Sequence, residues 1–149
     1  MVARLPPSSR IRRWTLVRGI RVLYEAMNRR EVDVMLARCH PDVEMYVARG
    51  QTSLDMEPIY RGRDGAARAL ETWLDAWAEY RVETRELIDL GDRVVVLSQQ
   101  FGRGRESGVE VETPHATVIT FDQEGWAVRV QLYWDWEEAE HAARDRAAV

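Results

Sequence analysis

The sequence predicts an α+β fold in which a strongly bent antiparallel or mixed sheet wraps around three helices to form a closed-ended cone. Two observations support this prediction. Apolar residues recur with helical spacing through much of the first half of the chain, whereas alternation of polar and apolar residues takes over after residue 81. The predicted order is therefore ααβαββββ with a short C-terminal helix, and contiguous strands favour antiparallel pairing.

Three apolar stripes predict the first three helices. The first stripe runs from Ile11 to Met27 with arginines on the other side, and Ser8 or Ser9 can cap the helix. The second helix spans roughly residues 31–38 and ends before Pro41, because the residue preceding a proline disfavours helical geometry. The third helix opens at Asp64-Gly65. Its apolar stripe consists of Ala67, Leu70, Trp73, Leu74 and Trp77.

Alternating segments predict five strands, and turn-forming residues separate the last four of them. The strands are expected at residues 43–47, 82–90, 93–102, 109–121 and 126–136. Residues 48–62, which include Gly50, are expected to form a long loop. Pro114 predicts a sheet edge or a bulge in the fourth strand, because proline cannot donate a ladder hydrogen bond. A short alanine-rich helix is expected from Glu137 to about Ala147.

Length and composition predict one globular domain over residues 1–149, with a loose start at residues 1–10. The net charge is −4, and charges of both signs are interleaved, which predicts neither a nucleic-acid partner nor a membrane partner. No apolar run approaches the roughly 18 residues of a membrane span, and no targeting segment is evident, so a cytoplasmic location is expected. The single cysteine, Cys39, cannot form an intramolecular disulfide and is expected to be half-buried.

Four segments in a fixed order carry a resemblance to a known family. They are His40-Pro41-Asp42-Val43-Glu44, the segment from Tyr60 to Gly65 leading into the Trp73/Trp77 helix, the segment from Asp89 to Val96, and the ending from Phe121 to Asp135. This set resembles the SnoaL-like, polyketide-cyclase-like branch of the nuclear-transport-factor-2-like superfamily, over residues 14–143. The resemblance implies a cone with an internal small-molecule pocket, and a homodimer formed through the sheet.

Strand alternation, with the resemblance setting the register, indicates which side chains line that pocket. The residues expected to point inward are Val95, Leu97, Gln99 and Phe101, then His115, Thr117 and Ile119, then Val128, Val130, Leu132 and Trp134. The polar set of the last strand, including Tyr133, is expected to face solvent or a partner subunit. The predicted ligand-binding residues are Gln99, Thr117, Trp134, Leu132, Val130, Trp77, Tyr60 and Val47. Such a pocket, mostly apolar with a few convergent polar groups, suits a small hydrophobic molecule.

The catalytic residues of the family's known enzymes are not found at the matching positions. The tyrosine, carboxylate base and protonated aspartate of ketosteroid isomerase correspond to Leu23, Val47 and Thr117. His115 is instead the candidate acid/base, since imidazole titrates near neutral pH. Glu86 is its possible carboxylate partner, if that face of the second strand points inward.

Three functions remain open from the sequence. The first is a cofactor-independent isomerase, cyclase, dehydratase or hydrolase that acts on a small apolar metabolite through His115. The second is a non-catalytic hydrophobic-ligand-binding protein, and the third is a dimeric scaffold. Four tryptophans form either an aromatic cage for a flat ligand or ordinary core: Trp73, Trp77, Trp134 and Trp136. No metal or cofactor is expected, because three separated histidines and one cysteine offer no ligand spacing.

Overall fold

The computed structural model describes residues 4–48 and 56–145, and their fold confirms the predicted α+β class. The helices in these residues are α1 (Arg10–Asn28), α2 (Val32–Leu36), α3 (Gly62–Asp75) and α4 (Trp136–Arg144). The strands are β1 (Cys39–Tyr46), β2 (Ile59–Arg61), β3 (Trp77–Asp89), β4 (Arg93–Gly104), β5 (Glu110–Phe121) and β6 (Ala127–Tyr133).

All six strands belong to one mixed sheet in the order β2-β1-β6-β5-β4-β3. Every neighbouring pair is antiparallel except β1 and β6, which run parallel. Helix α1 packs against β3 at one edge of the sheet, whereas α3 packs against β1 and β2 at the other edge. Because both helices share one apolar core with the same sheet face, the sheet curves around them.

Several element boundaries differ from the predicted ones. The short strand β2 lies inside the predicted loop, where it pairs with β1. Trp77 begins β3 instead of extending the third helix, because β3 pairs with β4 along its whole length, from Trp77 opposite Gly104 onward. Such pairing is a tertiary effect that local periodicity does not report. Gly50 and the predicted helix end at Ala147 lie outside the described residues.

The sheet has two buried faces, and this overturns part of the predicted pocket lining. Val94 and Val96 point toward α1 and α3, whereas Val95 and Leu97 lie on the opposite face beneath α4. The prediction that Val95, Leu97, Gln99 and Phe101 point inward is therefore wrong. An uninterrupted apolar run carries no alternation from which to tell the two faces apart.

Helix α1 is also oriented differently from its predicted stripe. Ile20 and Tyr24 are buried as predicted, but the side chains of Ile11 and Trp14 are 67% and 62% exposed. Arg12, which the stripe placed on the polar side, is 2% exposed. The first turns of α1 thus bury an arginine and expose two large apolar residues.

Both ends of α1 are fixed by side-chain hydrogen bonds. The Ser9 hydroxyl accepts from the backbone amide of Arg12 at 3.3 Å, which confirms the predicted cap. At the other end, the Asn28 amide group accepts from the Val82 backbone amide at 2.9 Å and donates to the Val82 carbonyl at 3.3 Å. Asn28 therefore covers part of edge strand β3, whose backbone groups would otherwise stay unpaired on that side.

Pro114 and Asp135 take the positions that their residue types predict. Strand β5 pairs with β6 only from Ala116 onward, so Pro114 has a neighbouring strand on one side alone. The Asp135 carboxylate accepts from the Glu138 backbone amide at 2.8 Å and caps α4. Within the described ranges, no helix is long and apolar enough to cross a membrane.

Candidate functional site

Four aromatic side chains meet between the end of α3 and the inner face of the sheet. This aromatic cluster consists of Trp73, Trp77, Tyr80 and Trp134. The Trp73 ring contacts the Trp77 ring edge-on at 5.4 Å between centroids, and it contacts the Trp134 ring at 5.6 Å. Trp73 thus contacts two of the other residues predicted for the cage, Trp77 and Trp134. The fourth, Trp136, is not among them.

Trp136 lies on the outer face of the sheet, so its predicted place in the cage is wrong. Its indole Nε1 donates to the carbonyl oxygen of Ser98 at 2.9 Å and to that of His115 at 3.1 Å. These two residues face each other across β4 and β5. Trp136 therefore bridges β4 and β5 on the outer face of the sheet, opposite the point at which His115 projects inward.

Two arginines hold the end of α3, and with it the aromatic cluster. Arg30 donates to the carbonyls of Leu74 and Trp77 at 2.7 and 2.8 Å. Arg105 donates to the carbonyls of Asp75 and Trp77 at 2.9 and 3.1 Å. Cations at a helix C-terminus satisfy its free carbonyls and interact favourably with the helix dipole.

The Trp77 ring packs directly against Gly102 on the neighbouring strand β4. A Cβ atom at this position would lie 2.5 Å from Trp77 Cε3 and 2.8 Å from Cζ3. The Trp77 ring has little freedom to withdraw, because Trp73 and Tyr80 pack against it. Because residue 102 has no side chain, the Trp77 ring can pack directly against the backbone of β4.

We expect Gly102→Ala to lower the free energy of unfolding by about 1–3 kcal/mol, as overpacked cores do. Intrinsic tryptophan fluorescence should change as well, because Trp77 must shift. Urea denaturation followed by fluorescence measures both effects. Gly19→Ala in α1 is the control, since nothing lies within 4 Å of its Cβ position, and it should stabilise the protein by about 0.5–1 kcal/mol. Equal effects of both variants would contradict the overpacking argument.

His115 points into the interior, as the register taken from the resemblance predicts. Its side chain contacts the Trp134 ring at 6.1 Å between centroids, and the residue is 6% exposed. Its Nδ1 atom has no hydrogen-bond partner among the described residues. Burial lowers the pKa of His115 to about 4, because the charged imidazolium cannot be solvated there. The imidazole is therefore neutral at physiological pH.

The condition for pairing His115 with Glu86, an inward-facing Glu86, is not met. Glu86 is exposed on β3, where it lies opposite Leu97. A carboxylate close to the imidazole would raise the pKa of His115, yet burial is the one influence that acts on it. The surroundings of His115 therefore suit a neutral imidazole that forms hydrogen bonds. They do not suit a charged imidazolium paired with a carboxylate.

Two further buried polar atoms lack partners on the same inner surface. Gln100 accepts from the Tyr80 hydroxyl at 2.7 Å through Oε1, but its Nε2 has no partner among the described residues, and neither does Trp77 Nε1. Unsatisfied buried donors each cost about 1–3 kcal/mol, so native proteins rarely keep them without a reason. Three such atoms, on Trp77, Gln100 and His115, mark this interior as the candidate site.

A hydroxyl network lies beside His115 on the inner face. The Ser98 hydroxyl donates to the Tyr24 hydroxyl at 3.2 Å, and the Tyr24 and Thr117 hydroxyls are 3.4 Å apart. Burial raises the pKa of Tyr24, although the two hydrogen bonds act in the opposite direction. Sequence reasoning placed Tyr24 on the buried stripe of the first helix but missed its part in the site, because the resemblance aligned Leu23 with the family's tyrosine. The four-residue spacing from Ile20 was the available signal.

The remaining predicted ligand-binding residues fall into three groups. Val47, Val130, Leu132 and Trp134 belong to or pack against the inner core, and Thr117 is buried with them. Gln99 lies on the other face of β4 from Ser98 and Gln100. Tyr60 is buried, and its hydroxyl accepts from the Glu57 backbone amide at 2.9 Å, so it fixes the segment before β2. Contact of these residues with a ligand stays a prediction.

A groove of about 370 Å³ between α1 and β3 reaches Tyr24 from the edge of the sheet. Its apolar wall includes Val17, Ile20, Val82 and Leu87. On the opposite side of the sheet, Tyr133 packs with the core beneath α4. The predicted homodimer through that face stays a prediction. No group of three or more His, Cys, Asp or Glu residues suited to a metal ion occurs in residues 4–48 and 56–145.

Comparison with known proteins identifies relatives of this fold. The family model of the SnoaL-like domain matches residues 20–130. A nuclear-transport-factor-2-like protein of unknown function from Burkholderia pseudomallei superposes with a TM-score of 0.72 at 25% identity, covering 86% of this chain and 96% of that one. A putative polyketide cyclase from Xanthomonas campestris gives 0.63 at 25% identity, covering 82% and 91%. TerC, co-crystallised with polyporic acid, gives 0.70 at 24% identity, covering 85% and 95%. No curated protein matches.

Proposed function

Because the chain belongs to the SnoaL-like domain family, we propose that it binds a small, flat, largely apolar molecule within the curved sheet, at the aromatic cluster. The observation that carries this proposal is the set of three buried, unpartnered polar atoms on Trp77, Gln100 and His115. Aromatic walls with a few convergent polar groups are typical of small-molecule sites.

The chemistry of the three atoms defines what the ligand must offer. Trp77 Nε1 and Gln100 Nε2 can only donate hydrogen bonds, so the ligand carries oxygen or nitrogen acceptors. The neutral imidazole of His115 has one donor and one acceptor nitrogen and fits a hydroxyl or a carbonyl group. The co-crystal of TerC with polyporic acid supports a small organic ligand for this fold and supplies a first probe.

Acid/base catalysis is the second candidate, and the Tyr24 network favours it. With its pKa raised by burial, the Tyr24 hydroxyl stays protonated at neutral pH and can donate to an oxygen that gains charge in a reaction. His115 lies on the same inner face as Thr117, two residues away along β5. A histidine whose pKa is about 4 is a weak base near pH 7, however, so binding comes first in the proposal.

Titration of tryptophan fluorescence with polyporic acid tests the binding proposal. We expect saturable quenching in the unmodified protein and about twofold to tenfold weaker binding in Trp77→Phe, which keeps a smaller aromatic ring but loses the indole Nε1 donor and its one neutral hydrogen bond. Trp14→Phe is the matched control, because Trp14 is exposed on α1, and its affinity should not change. Equal affinity of Trp77→Phe and the unmodified protein would place the ligand elsewhere.

Turnover distinguishes the two candidate functions once binding is established. The bound compound is incubated with protein and then analysed by mass and absorbance spectra. An enzyme converts it, and His115→Gln or Tyr24→Phe should lower the rate at least tenfold while changing affinity much less. A binding protein returns the compound unchanged from all variants.

A further inference from the structure

Helix α1 presents a second apolar stripe on the side that faces away from the core. We call it the outer α1 face. It contains Ile11, Trp14 and Val22, with Arg10, Arg18 and Arg21 among them. The Arg18 guanidinium lies over the Trp14 ring at 5.4 Å from its centroid. All six residues are exposed, while Ile20 and Tyr24 fill the core from the opposite side of the same helix.

Exposed apolar side chains of this size in one stripe need an explanation. Single exposed apolar residues are ordinary on protein surfaces, but a contiguous patch marks a contact surface. A helix that buries one apolar face against its own core has no further use for a second one. Ile11 and Trp14, each about two-thirds exposed, form the centre of this patch.

The N-terminal segment that contains α1 is positively charged, whereas the rest of the chain is negatively charged. The first thirty residues hold eight arginines and one acidic residue, Glu25, which gives +7; since the whole chain has −4, the other residues carry −11. The expectation of interleaved charges is therefore wrong for this segment. The first turn of α1 contains no acidic residue, although acidic residues stabilise a helix N-terminus and arginines destabilise it. Helix stability therefore does not explain Arg10, which lies in this first turn.

We infer that the outer α1 face binds the surface of an anionic lipid bilayer. Ile11 and Trp14 insert between the lipid headgroups, and Arg10, Arg18 and Arg21 pair with lipid phosphates. This arrangement uses both properties of the face, because tryptophan favours the membrane interface and arginine favours anionic lipid. The interleaved charges of the whole chain predicted no membrane partner, and this inference departs from that prediction.

Other occupants fit the face less well. A second copy of this chain packed on it by two-fold symmetry would bring arginines of both copies together. A nucleic acid would bind the arginines but offers no apolar environment to an aliphatic side chain such as Ile11. The outer α1 face is the exposed side of a single helix, and of its six residues Arg21 alone also lines the groove between α1 and β3. Such a surface suits insertion into a bilayer interface better than the side chains of a folded partner.

Vesicle flotation tests the inference on the full-length chain. We expect binding to vesicles of phosphatidylcholine mixed equally with phosphatidylglycerol, and about a hundredfold weaker binding to phosphatidylcholine alone, from about fivefold for each of three arginines. Raising sodium chloride from about 0.05 to about 0.5 M should release the protein, because the Debye length falls well below 10 Å. Binding that is absent, or equal on both vesicles, would overturn the inference.

Two sets of variants separate apolar from electrostatic contributions. Ile11→Gln/Trp14→Gln should weaken binding to anionic vesicles by about tenfold or more, because the inserted side chains are lost. The matched control is Val109→Gln/Val111→Gln, which removes exposed apolar residues flanking Glu110 and should not change binding. The thermal midpoint of each variant is measured first, and unchanged midpoints establish that the variants are folded.

A third variant and a mass measurement identify the alternatives. Arg10→Gln/Arg18→Gln/Arg21→Gln should abolish the preference for anionic vesicles. If the apolar variant binds vesicles as well as the unmodified protein, charge alone accounts for binding, and an acidic macromolecule replaces the bilayer as partner. If light scattering shows a dimer that Ile11→Gln/Trp14→Gln converts to a monomer, the face is a subunit interface. Either result overturns the membrane inference.

Discussion

Replacing Arg12 with alanine is expected to lower the free energy of unfolding by about 3–5 kcal/mol, as removal of one partner of a buried ion pair does. Arg12 and Asp89 have side chains that are 2% and 6% exposed. The guanidinium Nε and Nη2 donate to the two carboxylate oxygens at 2.6 and 2.8 Å. Arg12 also donates to the carbonyls of Leu5 and Gly91, so it ties the start of α1 to the end of β3.

The expected loss comes chiefly from the carboxylate that remains. Burial alone would raise the pKa of Asp89, but hydrogen bonds from Arg12 and the Gly91 backbone outweigh it and hold the pKa below its ordinary value. This stabilisation is present above a pH of about 4 and is lost as the pH falls further. Without Arg12, a charged carboxylate stays buried with one of its two main stabilising contacts gone.

Urea denaturation at pH 7 measures the effect, and an exposed ion pair provides the control. Arg61 donates to Glu44 at 2.6 Å, but its side chain is 69% exposed. Arg61→Ala should therefore change stability by less than about 1 kcal/mol. If Arg12→Ala changed stability no more than Arg61→Ala, the buried pair would not anchor α1 to the sheet.

The fold class was predictable because most elements have one dominant buried face. The register taken from the resemblance placed His115 and Thr117 on the inner face of β5, whereas the periodicity of α3 placed Trp73 in the core. In α3 the polar and apolar positions differ clearly, so the local pattern carries the information. Strand β5 is buried on both faces from His115 to Ile119, so its local pattern does not tell the inner face from the outer one. In an element such as α3, a residue's neighbours along the chain are enough to orient its side chain.

The remaining features depend on contacts that no local pattern records. Arg12 and Asp89 are 77 residues apart, and their pairing rotates the first turns of α1 so that Ile11 is exposed. The apolar run through β4 hid which face meets α4, so Gln99 was placed inside in place of Gln100. The candidate site was therefore half predicted: His115 and Thr117 were identified, whereas Gln100 and Tyr24 were not.

Acidification from pH 6.5 to about 4 is expected to destabilise the protein by about 3 kcal/mol through His115 alone. The pKa of His115 is about 4 in the folded protein and 6.5 without the influence of the fold. Above pH 6.5 neither state binds a proton at this site. Between the two values the unfolded chain binds one and the folded protein does not, so stability falls by about 1.4 kcal/mol for each pH unit.

His115→Gln should remove this contribution, so its free energy of unfolding should depend less steeply on pH than that of the unmodified protein. Urea denaturation at several values between pH 7 and 4.5 measures the difference, and this range stays above the range in which Asp89 becomes protonated. His141→Gln, on the exposed side of α4, is the control and should follow the unmodified protein. Identical pH profiles for all three proteins would mean that His115 accepts a proton in the folded state. A charged partner or water would then reach it, and the acid/base function would become the stronger proposal.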